Sequence, residues 1–92
     1  MKGIAIGLSH TSKLILKRLK RTEFIDEIYL ACSNYEEEIE ENEITLIKPQ
    51  EVLKENWEDL ALIIFIGSIG ASVRLINSFL TSKDQDPGVI VI

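Results

Sequence analysis

Residues 65–74 read FIGSIGASVR, with Gly67 and Gly70 three apart and Arg74 four positions beyond the second glycine. They leave the most hydrophobic stretch of the chain, LALIIFI, and lead into a helix-like segment, LINSFL. A glycine turn at the end of a buried strand lets the backbone approach a ligand closely, and the helix start that follows offers unpaired N–H groups to an anion. In that reading Ser68 and the N–H groups of residues 69–72 bond a carboxylate or phosphate, and Arg74 adds a charged, bidentate clasp. Gly67, Ser68, Ile69, Gly70 and Arg74 are therefore the candidate binding residues. The same glycines also suit a plain strand-ending turn, and both readings stand at this point.

A second polar loop, LSHTSK, brings Ser9, His10 and Thr11 to the end of the first apolar run. Ser9 and His10 are the candidates for nucleophile activation or general-base work, with a surface-loop histidine as the plain alternative. His10 is the only histidine and Cys32 the only cysteine, so neither a multi-cysteine metal site nor an internal disulfide is expected. No Ser-His-Asp set follows from the order of residues. The dinucleotide fingerprint is missing too, because only Gly7 stands after the first strand. Lys83, Asp86 and Pro87 flank the last turn, where lysine suits a helix C-terminus and Asp-Pro starts a turn.

The elements that must position these loops follow from hydrophobic periodicity. Residues 3–8 read as a strand buried on both faces, and SKLILKRLKR as a helix with Ile15, Leu16 and Leu19 on its inner face. Residues 24–31 read as a second strand and EITLI as a short edge strand. Pro49 opens a helix that presents Val52, Leu53 and Trp57. DLALIIFIG is the central strand, residues 70–80 form a third helix with Val73, Ile76 and Leu80 inward, and VIVI ends the chain in a strand. This alternation predicts an α/β fold: a doubly wound, mainly parallel sheet of four or five strands, Rossmann-like or flavodoxin-like, with helices on both faces. Ligands in such sheets bind outside the carboxyl ends of the strands, and the first and central strands are expected to be neighbours whose loops share one cleft. No internal repeat is read from the sequence.

The 92 residues suit one domain. Ten basic against fifteen acidic residues argue against a nucleic-acid binder, and KRLKR reads as a solvated helix flank. No apolar stretch is long enough for a membrane span, and the single cysteine suits a reducing cytoplasm. Six glutamates between positions 36 and 43 read as a solvated segment.

Taken together, IIFIGSIGASVRLI and SKDQDPGVIVI resemble the cobalamin-biosynthesis protein G family, CbiG, the cobalt-precorrin-5A hydrolases. The family pattern runs from a buried strand into Gly-Ala-x-Gly-Ile-Ala-x-Arg, a helix, Lys-x-x-Asp-Pro and a strand of valines. Gly67, Gly70 and Arg74 match its first part, and Lys83, Asp86 and Pro87 its second at the same separation. Ser68, Ala71 and Ser72 depart from it, as do Asn77 and Ser78, which replace an Ala-Pro pair. The resemblance implies hydrolysis of the ring lactone of a cobalt corrinoid with release of acetaldehyde. It also implies cobalt carried by the substrate rather than by a cofactor, and the remainder of the enzyme or other pathway enzymes as partners. The family's Ser-Gly-His-x-Gly-Gly-Ala-Asn segment is expected after the last strand, so residues 1–92 read as the N-terminal portion of a longer enzyme. The alternatives are a non-catalytic module that holds an anionic metabolite through GSIG, and a structural or dimerising domain.

Overall fold

The computed structural model describes residues 2–31, 44–80 and 86–92. Cys32, the glutamate-rich segment and Lys83 lie outside them. Strands β1 (Lys2–Gly7), β2 (Glu27–Ala31), β3 (Thr45–Ile47), β4 (Leu60–Ile66) and β5 (Gly88–Val91) form one sheet in the order β3-β2-β1-β4-β5. Every neighbouring pair is parallel. Helices α1 (Lys13–Lys20), α2 (Pro49–Asn56) and α3 (Ile69–Ile76) connect them, and a 3₁₀ turn, His10–Ser12, precedes α1.

Alternation along β1 and β4 divides the core into two layers, as a pleated strand requires. Ile4, Ile6, Ile63 and Phe65 pack with Val52 and Leu53 of α2 and Ile76 of α3. Ala5, Ile64 and Ile66 pack with Leu16 of α1, Ile25, Ile28 and Leu30 on the other face. The doubly wound α/β fold expected from the sequence is thus present, with helices on both faces. Trp57 stacks on Phe79 with ring centroids 5.3 Å apart, which joins the end of α2 to the turn after α3.

Three expectations are corrected. The third helix ends at Ile76, and its inner face is Ser72, Leu75 and Ile76, with Phe79 of the following turn packed beside it, whereas Val73 and Leu80 are about half exposed. The helix begins one residue earlier than expected, at Ile69. The second strand starts at Glu27, because residues 21–24 form a turn that leaves Phe24 73% exposed. In α1 only Leu16 is fully buried: Leu19 packs at the margin, and Ile15 lies on the flank of the helix.

The amino ends of the strands are tied by a polar network. Lys2 Nζ lies 3.0 Å from Glu27 Oε1 and donates to Asn56 Oδ1 at 3.1 Å, while the Tyr29 hydroxyl donates to Glu27 Oε2. The Gly3 N–H donates to Asp26 Oδ2 at 2.9 Å, and the Asp26 N–H donates to the Gly3 carbonyl at 2.7 Å.

Candidate functional site

In this strand order β1 and β4 are neighbours whose onward connections run in opposite directions, β1 toward β2 and β4 toward β5. The two loops beyond their carboxyl ends therefore part company at this point. A crevice opens there in a doubly wound sheet. The loop after β1 carries Ser9, His10 and Thr11, and the loop after β4 carries Gly67 and Ser68, so the structure brings both predicted loops to one place. They are joined directly by the Leu8 N–H, which donates to the Ile66 carbonyl at 2.9 Å.

Gly67 makes the close approach possible. Its φ of 156° is one that side-chain-bearing residues rarely adopt, and a Cβ there would meet the side chain of Leu8. Its N–H donates to the Ile92 carbonyl at 3.1 Å, which binds the loop to the end of β5 as well. Gly70 has a different role from the one its spacing suggested. It lies in the first turn of α3 with nothing within 4 Å of where a Cβ would be, so the turn itself does not require glycine there.

Ser68 is the N-cap of α3, and its hydroxyl accepts from the Ala71 N–H at 3.2 Å. The Ser72 N–H bonds the Ser68 carbonyl, also at 3.2 Å. Two of the four N–H groups expected to serve a ligand are therefore engaged within the helix start. Those of Ile69 and Gly70, at its first two positions, have no intrahelical carbonyl to bond and face the exposed end of the helix. Ile69, Gly70 and Arg74 are all exposed. Ile69 is 69% accessible and Val73 51%, so the donors stand beside an apolar surface. Arg74 sits in the last turn of α3, where its charge also suits the helix dipole.

On the other wall, Ser9 Oγ lies 2.8 Å from Thr11 Oγ1, an exposed pair of hydroxyls of which one donates to the other. His10 begins the 3₁₀ turn at the same place. Asp86 and buried Pro87 precede β5, at the opposite end of the sheet from the glycine loop. They lie apart from the crevice.

An open depression of about 510 Å³ lies at that opposite end, lined by Lys2, Asp26, Glu58 and Asp59. Lys2 and Asp26 are already bonded to Glu27, Asn56 and Gly3, and the remaining lining is acidic, which suits no anionic ligand. Sequence reasoning passed over the side chains of Leu8, Ser12 and Ser72, which shape the crevice. The signal available was the repeated spacing of a glycine at a strand end and a serine five residues on. Among the described residues no group of three or more His, Cys, Asp or Glu is placed to hold a metal ion, and no helix is long and apolar enough to cross a membrane.

Residues 51–92, just under half of the chain, match the family model described as Cobalamin synthesis G N-terminal. The matched stretch includes β4, the glycine loop, α3 and β5. It bears out the family resemblance read from residues 67–87 and ties that resemblance to cobalamin synthesis. No match was found among curated proteins or among solved structures.

Proposed function

We propose, from the family match over residues 51–92, that the chain supplies the N-terminal α/β portion of a cobalt-precorrin-5A hydrolase and docks the corrinoid at the β1–β4 crevice. The observation that carries this reading is that the matched stretch contains the loop and helix start that meet the β1 loop at the switch point. A corrinoid intermediate carries acetate and propionate carboxylates around a broad apolar ring. Exposed Ile69 and Val73 give the ring an apolar surface beside the helix start, which suits such a ligand. Arg74 adds a charged donor on the outer surface of the same helix.

Lactone hydrolysis needs a water activated by a base and a donor pair for the oxyanion that forms as the water adds to the carbonyl. The Ile69 and Gly70 N–H groups are the donor pair. Ser9 and His10, in the loop of the facing wall, are the groups of this chain that the reading assigns to the water. Cobalt arrives with the substrate, so the chemistry asks for no resident metal.

The test is a titration of the chain with cobyrinic acid, a corrinoid bearing free side-chain carboxylates, followed by absorbance and tryptophan fluorescence. Saturable binding that competes with the native substrate in the complete enzyme supports the docking role. Absence of binding removes it. Acetaldehyde release from cobalt-precorrin-5A is expected only with the family's second glycine-rich segment present, and turnover by residues 1–92 alone would contradict that division of labour.

A further inference from the structure

The two walls of the crevice repeat one another. Ile6, Gly7 and Ser12 stand at the same mutual spacing as Ile66, Gly67 and Ser72, and in each case the glycine follows or ends a strand and the serine begins or enters the next helix. Ser12 and Ser72 are the two buried polar residues of the described core, at 2% and 1% exposure. Each turns its hydroxyl back onto its own loop. Ser12 Oγ donates to the Ser9 carbonyl, and Ser72 Oγ donates to the Ser68 carbonyl at 2.9 Å. Both carbonyls also accept the serine's own N–H, at 3.1 Å for Ser12 and 3.2 Å for Ser72. A buried hydroxyl that doubles an existing bond adds direction rather than rescuing an unpaired group.

We propose that Ser12 and Ser72 are a matched pair of positioning residues that set the two walls of the crevice, a role that rests on the crevice being the ligand site. Ser12 holds Ser9, and with it the Ser9–Thr11 hydroxyl pair, in place at one wall. Ser72 holds Ser68, the N-cap from which the Ile69 and Gly70 donors are aimed, at the other. The fit at the first wall is close: a Cβ on Gly7 would stand 2.0 Å from Ser12 Oγ, so glycine is required where the serine turns back. At the second wall the clearance that glycine provides at position 67 is filled by Leu8 from the first loop. Each wall is thus latched to its own helix and packed on the other.

The experiment combines amide hydrogen exchange with cobyrinic acid titration for the wild-type chain, Ser12→Ala, Ser72→Ala and the hydroxyl-retaining Ser72→Thr. Loss of one neutral hydrogen bond should speed exchange roughly twofold to tenfold at the amides of the affected loop and weaken binding by a similar factor. Ser72→Ala should act on the amides of residues 71 and 72 while leaving that of residue 12 as in the wild type, and Ser12→Ala the reverse. Ser72→Thr should restore affinity. Faster exchange spread through the whole sheet, with wild-type affinity for the probe, would show that the serines serve stability alone and would overturn the proposal. A wild-type chain that leaves cobyrinic acid unbound overturns the ligand reading and the positioning role with it. A wild type that binds, with unmoved affinity in both alanine variants, overturns the positioning role and leaves the ligand reading intact.

Discussion

A Cβ placed on Gly67 would stand 2.9 Å from the Cβ of Leu8, the residue that leaves β1 beside it. The contact joins the ends of the two central strands, and the Gly67 φ of 156° adds a backbone reason for glycine at the same position. Gly67→Ala should therefore destabilise the chain by about 1–3 kcal/mol, the cost typical of a residue forced into a sparsely populated conformation. Gly70→Ala is the contrasting variant. It meets open space in a helix and should be neutral or stabilising by up to about 1 kcal/mol. Urea unfolding of both variants checks the pair, and equal losses would show that the two glycines have the same role.

The contrast between these glycines shows what was legible in the residues themselves. Uninterrupted apolar runs such as LALIIFI identified the buried strands, and Pro49 marked the start of α2, because burial on both faces and a fixed φ leave plain local signatures. The adjacency of β1 and β4 followed from the winding rule. The inner face of α3 did not follow, since IGASVRLI carries apolar residues on several sides and Ser72 takes the buried place expected of Val73. Spacing made Gly67 and Gly70 look equivalent. Only the backbone conformation and the approach of Leu8, a long-range contact, separate them.

Trp57 provides a spectroscopic check of the packing that holds α3 over the sheet. Its ring stacks on Phe79, an arrangement worth about 0.5–1.5 kcal/mol beyond the area buried. Phe79→Leu should lower stability by about 1–2 kcal/mol and shift the emission of the single tryptophan, because the indole gains access to water. An unshifted spectrum in the folded variant would place the stack outside the stable core.

The network at the amino ends of β1 and β2 predicts a pH dependence with a definite sign. The hydrogen bond from Tyr29 holds the Glu27 carboxyl below its ordinary value of 4.5, against the opposing effect of burial, and Lys2 assists. A carboxyl lowered in the folded state contributes stability above its unfolded value and loses it as pH falls through the folded value. Stability of the wild type should thus fall as pH drops below about 4.5, and only modestly because the pair is solvent-screened. Glu27→Gln should flatten that part of the profile. Burial, with the Glu27 bond second, raises the Tyr29 hydroxyl above its ordinary 10.0. The corresponding contribution is present below pH 10 and lost as pH rises through the folded value, so Tyr29→Phe should flatten the alkaline side. Thermal melts from pH 3 to 11 separate the two arms. A Glu27→Gln profile that parallels the wild type in acid would remove Glu27 from the account.

Arg74 decides between a docking helix and a plain turn. It is exposed in the last turn of α3, while the Ile69 and Gly70 donors lie in the first, so its contribution to the fold is small and its contribution to a bound carboxylate is separable. A hydrogen bond to a charged group is worth about 1.5–3 kcal/mol, so Arg74→Ala should weaken cobyrinic acid binding roughly tenfold to a hundredfold. Its melting temperature should stay within about a degree or two of the wild type, as expected for an exposed surface substitution. Arg74→Lys should recover only part of the affinity, because lysine keeps the charge and lacks the planar fork. Gly70→Val reports on the donors rather than the clasp. Its side chain enters open space in the protein alone, so lost affinity with an intact fold would mean that the ligand occupies that space. A β-branched residue in the first helical turn costs only about 0.5 kcal/mol in propensity, which leaves the fold available for the measurement. If Arg74→Ala binds as the wild type does, the arginine serves the helix dipole alone. If Gly70→Val also binds unchanged, the loop is a turn and the crevice holds its ligand elsewhere.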